Sequence, residues 1–172
     1  MGCSILDAIS HNRDSQCNAP AVSSFEQTWS YSKLIDETER IARNLVRLTS
    51  PGDTIALVGQ RDPSFVASIL GIWQAGCVYA PVDRTLPLAR QEKIIKSVDP
   101  SIVLYTGDSE PALAGHTLIP IAYARQSILD KEDHRINSSP IINEPFHSPA
   151  YMMCTSGSTG APNAVLVSRG AL

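Results

Sequence analysis

The sequence has no run of Lys or Arg, and 14 basic against 17 acidic residues leave a net charge of −3. A reader of the nucleic-acid backbone carries a basic stripe, so nucleic acid is not an expected partner. No apolar stretch approaches the roughly 18 residues of a membrane helix, so no span of that kind is expected. The opening residues, Met1-Gly2-Cys3-Ser4-Ile5-Leu6-Asp7, lack a basic segment followed by an apolar run and do not read as a secretory signal. Gly2 raises the question of myristoylation, but Leu6 stands where that motif wants Ser or Thr.

Cysteine and histidine are sparse and scattered. Cys3, Cys17, Cys77 and Cys154 form no CxxC pair and no Cys/His cluster, so no zinc site is expected. Cys77 and Cys154 lie in apolar runs and read as buried free thiols, which fits a reducing, cytoplasmic compartment. His11, His116, His134 and His147 have no partners at ligand spacing and read as surface residues. Charged residues make up only 18% of the chain, below the roughly 25% of an average soluble domain.

What the chain does contain is apolar material in alternating patterns. Leu, Ile, Val and Phe form a quarter of the 172 residues, above the roughly 20% below which disorder is expected. That is enough for a core of one domain, or of part of a larger one. Ala21 to Phe25 and Gln27 to Ser30 predict two short strands around a turn. Tyr31 to Thr49 predicts a helix, because Leu34, Ile41, Ala42, Leu45 and Leu48 recur at helical spacing. Thr54 to Gly59 is almost wholly apolar, the pattern of a parallel strand covered on both faces.

Asp62-Pro63 then predicts a helix start, with Asp as N-cap and Pro at the first helical position. The helix is apolar nearly all round and should be buried. Cys77 to Val82 predicts a strand and Pro87 to Val98 a helix carried by Leu88, Ile94, Ile95 and Val98. Ser101 to Tyr105, Thr117 to Ala122, Ala150 to Cys154 and Ala164 to Val167 predict further strands. Asp130 to Arg135 reads as a charged, solvated turn. The expected fold class is α/β: alternating strands and helices, with a parallel sheet flanked by helices.

Directly after the strand at Tyr151 to Cys154 comes Thr155-Ser156-Gly157-Ser158-Thr159-Gly160-Ala161-Pro162. Glycines allow a tight turn and close approach to a ligand. Successive backbone N–H groups can form an anion-binding nest, and Ser and Thr hydroxyls add donors that rotate to suit phosphate oxygens. The chemistry suggested is a grip on a polyphosphate, although on composition alone such a stretch is more often a plain surface loop. The pattern GxxxxGK[ST] does not fit, GxGxxG is absent, and GxSxG has the wrong spacing.

The stretch YMMCTSGSTGAPNAV, Tyr151 to Val165, resembles the phosphate-loop motif of the adenylate-forming enzymes. These are the acyl-CoA synthetases, luciferases and adenylation domains of nonribosomal peptide synthetases. Two upstream stretches agree and stand in the family's order. Thr28 to Leu34 (TWSYSKL) resembles "LTYxEL", and Trp73 to Asp83 (WQAGCVYAPVD) resembles "LKAGGAYVPID", continued by Pro87 and Arg90. Asp83, where acyl-CoA synthetases more often have Asn, leans the resemblance toward the amino-acid-activating branch. The resemblance covers essentially residues 1–172, as the N-terminal segment of an AMP-binding adenylation domain.

The resemblance implies a reaction. Such enzymes join a carboxylate to ATP, usually with Mg2+, to give an acyl-adenylate and pyrophosphate. They then pass the acyl group to a thiol, on carrier-protein phosphopantetheine or on coenzyme A. By position in the motif, Thr155, Ser156, Gly157, Ser158, Thr159 and Gly160 would cradle the β- and γ-phosphates. Prearranged donors would hold the leaving pyrophosphate while charge builds on it. The implied partners are ATP, a carboxylate substrate, and a carrier protein or downstream domains of the same polypeptide.

Two departures bear on this. Asn163-Ala164 stands where the family usually has Lys-Gly, removing a point charge beside the polyphosphate. Arg84 and Cys77 replace a frequent Pro and Gly and read as structural variation. The family's carboxylate pocket, ribose-binding Asp and catalytic Lys lie beyond the phosphate loop, so no catalytic residue is assigned. The expectation is an interrupted domain, inactive as the isolated 172 residues, with the strand at Ala164 to Val167 parallel and lacking its helical cover. The alternatives are a non-catalytic nucleotide-binding or interaction remnant of the same fold, or an unrelated α/β domain with a coincidental Ser/Gly loop.

Overall fold

The computed structural model describes residues 5–107, 110–124, 148–156 and 162–172. In chain order the elements are α1 (Ile5–Gln16), β1 (Pro20–Ser23), β2 (Thr28–Ser30), α2 (Tyr31–Leu48), β3 (Thr54–Gly59) and α3 (Pro63–Gln74). There follow β4 (Val78–Asp83), α4 (Leu88–Val98), β5 (Ile102–Tyr105), β6 (Leu118–Pro120), α5 (Ile121–Ala124), β7 (Pro149–Ser156) and β8 (Pro162–Ser168). A short 3₁₀ turn, Arg169–Ala171, comes last.

β3 organises the main sheet. Its residues alternate between two separate apolar layers, as the two-residue period of a strand requires. Ile55 and Leu57 join a cluster with Leu34, Ile41 and Leu45 of α2 and Ala67, Leu70, Ile72 and Trp73 of α3. Ala56 and Val58 join a second cluster with Ile94 and Ile95 of α4 and Leu113. All four β3 residues are at most 1% exposed, so helices cover the sheet on both faces.

The strand order is β6-β5-β3-β4-β7-β8, beside a separate two-stranded β1–β2 ribbon. From β6 to β7 every pairing is parallel. This is the α/β architecture expected from the sequence. The last strand differs from expectation: β8 runs antiparallel to β7, with Ser156 opposite Pro162. Residues 157–161 are far fewer than the dozen or so that a parallel crossover needs, so a hairpin is the only geometry they allow.

The helix signals are met by named contacts. Ser30 caps α2 by accepting from the Lys33 N–H at 3.3 Å. Asp62 caps α3 by accepting from the Phe65 N–H at 2.9 Å, with Pro63 at the first position. α4 starts at Leu88, with Pro87 as a cap that makes no side-chain bond. Thr117 to Ala122 divides: β6 ends at Pro120, and Ile121 opens α5. Pro120 is tolerated there because β6 is an edge strand.

Three details depart from the sequence reading. α1 was not foreseen; it has no buried residue. Leu6 and Ile9 only partly cover the core, and Arg13 reaches Glu39 of α2 at 3.4 Å. Cys77 is fully buried, but Cys154 is only half-buried, because β7 lies next to the sheet edge. Leu48 and Leu88 remain 52% and 43% exposed, at the end of α2 and the start of α4. Among the described residues, no helix is long and apolar enough to cross a membrane.

α2 and α3 pack tightly at Gly71. A Cβ there would lie 2.7 Å from Ile41 Cγ2 and 3.1 Å from the Thr38 carbonyl oxygen. Helix propensity favours Ala over Gly by about 1 kcal/mol, but overpacking a tight core contact costs about 1–3 kcal/mol. Gly71→Ala is therefore expected to destabilise the chain, read as a lower urea midpoint at unchanged slope. A raised midpoint would show that the two helices can separate cheaply.

Candidate functional site at the carboxyl edge of the sheet

β3 leads into α3 on one face of the sheet, and β4 leads into α4 on the other. In open α/β sheets, ligands bind in the crevice outside the carboxyl ends of strands where connections diverge in this way. β5 and β7 are parallel to β3 and β4, so all four carboxyl ends lie along one edge.

That edge is braced by backbone and side-chain bonds. β5 continues into Thr106, whose N–H donates to the Val58 carbonyl at 2.9 Å. The Thr106 hydroxyl oxygen accepts from the Gln60 N–H at 2.8 Å. It packs so tightly on Gly59 that a Cβ there would overlap it. After β4, the Arg84 guanidinium donates to the Thr106 carbonyl at 3.3 Å. Buried Gln91 of α4 donates to the carbonyls of Arg84 and Leu86 at 3.2 and 2.8 Å. Arg84, which the sequence marked only as a variation on Pro, thus ties the end of β4 to the end of β5.

Two ionisable groups on β4 are perturbed. Asp83 accepts from the Thr85 hydroxyl at 2.7 Å and from the Thr85 N–H at 2.8 Å. Those bonds, aided by Arg61, hold its carboxyl below the ordinary value. Burial pushes the Tyr79 phenol up to about 12, against a smaller opposing pull from Arg61. Tyr79 stands edge-to-face with Phe65, ring centroids 6.4 Å apart. Neither Arg61 nor Tyr79 was singled out in the sequence. The signal available was position, since Arg61 lies just beyond β3 and Tyr79 lies within the "AGxxYxP" stretch.

The candidate phosphate loop rises from β7. Thr155 and Ser156 are its last two residues, and Thr155 faces Asn163 across the hairpin while Ser156 faces Pro162. Asn163, which stands where a Lys was expected, therefore sits at the root of the loop. Gly157, Ser158, Thr159 and Gly160 lie outside the described residues, as do His134, His147 and the charged patch Asp130 to Arg135. Of the remaining histidines, His11 is exposed and His116 half-exposed. Among the described residues, no three His, Cys, Asp or Glu side chains gather as a metal site.

The base of the hairpin is fastened to the C-terminus of α3. The Trp73 indole N–H donates to the Ala150 carbonyl at 2.7 Å. The Arg169 guanidinium donates to the Trp73 carbonyl at 2.8 Å, and the Arg169 N–H donates to the Ser148 carbonyl at 2.8 Å.

A doubly covered α/β sheet with a Ser/Thr/Gly loop at its carboxyl edge defines the class, and comparison with known proteins places the chain within it. Residues 9–172 match the family model "AMP-binding enzyme", so the chain belongs to that family. It is 31% identical over 155 residues to nonribosomal peptide synthetase 8 of Aspergillus fumigatus, covering 87% of this chain and 2% of that protein. It is 31% identical over 144 residues to the dimodular nonribosomal peptide synthase of Bacillus subtilis, covering 83% of this chain and 6% of that protein. The chain thus spans a small fraction of the curated relatives it matches.

Among solved structures, the N-terminal subdomain of Klebsiella oxytoca NpsA, in complex with 3-hydroxybenzoyl-AMSN, superposes with a TM-score of 0.79 at 20% identity. The match covers 98% of this chain and 41% of that one. The four-domain nonribosomal peptide synthetase AB3403, bound to AMP and glycine, superposes with a TM-score of 0.77 at 27% identity, covering 96% and 12%. The fold is that of the N-terminal subdomain of an adenylation domain.

The Asp83 geometry gives a titration test. A carboxyl whose folded value is depressed contributes stability above its unfolded value and loses it as pH falls through the folded value. Asp83 is expected to titrate below the ordinary carboxylate value by side-chain carbonyl NMR. Thr85→Val, which removes the hydroxyl donor, is expected to move it upward. An unmoved titration would show that the hydroxyl bond does not hold the carboxylate.

Proposed function

We propose that the chain is the N-terminal, phosphate-holding part of an ATP-dependent ligase that activates a carboxylate as its acyl-adenylate and releases pyrophosphate. In this reading the acyl group then passes to a thiol, on phosphopantetheine of a carrier protein or on coenzyme A. The observation that carries the proposal is the position of Thr155-Ser156. They end a parallel strand at the carboxyl edge of the sheet and open the loop that matches the family's phosphate motif. The similarity to nonribosomal peptide synthetases, and Asp83 at the end of β4, favour an amino acid as the carboxylate.

Each residue has a physical task. The Thr155 and Ser156 hydroxyls and the donors of Gly157, Ser158, Thr159 and Gly160 bind the β- and γ-phosphates, holding the leaving group while negative charge grows on it. The donor set is neutral and rich in hydroxyl and amide groups, which suits phosphate oxygens. Mg2+, when bound with the nucleotide, supplies the cationic charge that this set lacks. Asn163 is neutral and adds no charge, so phosphate affinity is lower than a Lys there would give.

The second reading, a non-catalytic nucleotide-binding or interaction remnant, is favoured specifically by Asn163. Two measurements decide. ATP–pyrophosphate exchange by the 172-residue chain with a panel of amino and acyl acids is expected at background; exchange above it would overturn the view that this part is inactive alone. Calorimetry with Mg·ATP is expected to show weak binding that Asn163→Lys tightens several-fold, as one added charge contributes about 1 kcal/mol near water. No heat at millimolar ATP for either protein would remove the phosphate-binding role and leave an interaction role.

A further inference from the structure

The β7–β8 hairpin is internally well paired, and its regular backbone pairing with the rest of the sheet is short. Its two strands register from Pro149–Ser168 to Ser156–Pro162. The ladder between β3 and β4 likewise runs the length of both strands, from Thr54–Val78 to Gly59–Asp83. Between β4 and β7, by contrast, the ladder among the described residues registers at a single pair, Tyr79 with Tyr151. Hydrogen bonds outside the ladder add to the hairpin's placement.

They come at its base, from two residues far apart in sequence. Trp73 sits in the last turn of α3, and its indole N–H reaches Ala150 in β7. Arg169 follows β8 directly and donates to the carbonyl of that same Trp73. One helical residue is thus bonded to both strands' ends, by its side chain to one and by its carbonyl to the other. The Arg169 N–H closes the base by donating to Ser148. α3 has no basic residue in its own last turn. Arg169 brings a cation to the negative end of the helix dipole from outside the helix, and the bond is charge-assisted.

We infer that Arg169 is a positioning residue for the β7–β8 hairpin. Through Trp73 it fastens the loop-bearing hairpin to the C-terminus of α3, and so sets where Thr155 and Ser156 stand relative to the end of β4. The inference rests on the phosphate-loop reading only for its effect on nucleotide. The mechanical part, that Arg169 governs the hairpin's attachment, stands independently. Lys in its place keeps a cation and a donor but has no planar fork, so it restores the attachment in part.

The test uses the 172-residue chain, with amide hydrogen exchange resolved by residue. Arg169→Ala is expected to speed exchange at the paired amides of β7 and β8 by about tenfold or more, the scale of a lost hydrogen bond to a charged group. Amides of β3 and β4 keep their protection, and Arg169→Lys recovers part of the loss. Trp73→Phe, which removes the indole donor but keeps an aromatic ring, is expected to act in the same direction. Equal acceleration in β3 and β4 would reduce Arg169 to a general stabiliser, and unchanged hairpin exchange would overturn the inference outright. Where the parent chain binds Mg·ATP, Arg169→Ala is expected to weaken binding several-fold and Arg169→Lys less. Absence of nucleotide binding by the parent chain would remove the phosphate reading while leaving the exchange result to judge the attachment.

Discussion

Double-sided burial of β3 is the constraint from which the rest follows. A six-residue strand with Ile55 and Leu57 on one face and Ala56 and Val58 on the other cannot satisfy both faces with one layer of helix. α2 and α3 must take one side and α4 the other. Once the helices divide, the connections from β3 and β4 diverge at the sheet's carboxyl edge, and a crevice opens there. The same burial explains the tight bracing of the edge. With side chains packed above and below, Gly59 and Thr106 meet closely, and Gln91 and Arg84 satisfy carbonyls that the sheet leaves exposed.

The hairpin solves a different problem. A loop proposed to grip a polyphosphate needs its donors held at fixed positions while remaining at the surface. Two antiparallel strands supply local rigidity, since every residue from Tyr151 to Ser156 has a cross-strand partner. Beside the short ladder and the packing against β4, the bonds at the α3 C-terminus, where Trp73 and Arg169 meet, tie down the hairpin's base. Local order and global placement are thus carried by separate interactions, a division seldom visible from either strand alone. Asn163 belongs to the first, as a rung of the hairpin opposite Thr155.

Much of this was legible in the chain. β3 was read with its observed bounds because its apolar residues are consecutive, and α3 was read from Asp62-Pro63 because a cap and a fixed φ are local matters. The three ordered motifs pointed to the family, and comparison over residues 9–172 bears that out. What failed to show was also physical. α1 carries no buried residue, so its attachment depends on a few contacts with α2 and leaves little apolar period to read. Strand direction at Ala164 to Val167 is not encoded in the strand's own composition; it is set by the short span between paired ends. Arg169 reads as a charged residue after a strand, with nothing to announce a bond to a carbonyl 96 positions away.

The sequence by itself determined most of the local elements and the family, because caps, periodicity and short motifs act over a few neighbouring residues. Tertiary structure alone decided which strands of the parallel sheet are neighbours, and that Trp73 and Arg169 share one anchor at the hairpin base. Those outcomes depend on pairings between distant segments. Their free energy arises only when the chain has closed on itself and the partners are buried together.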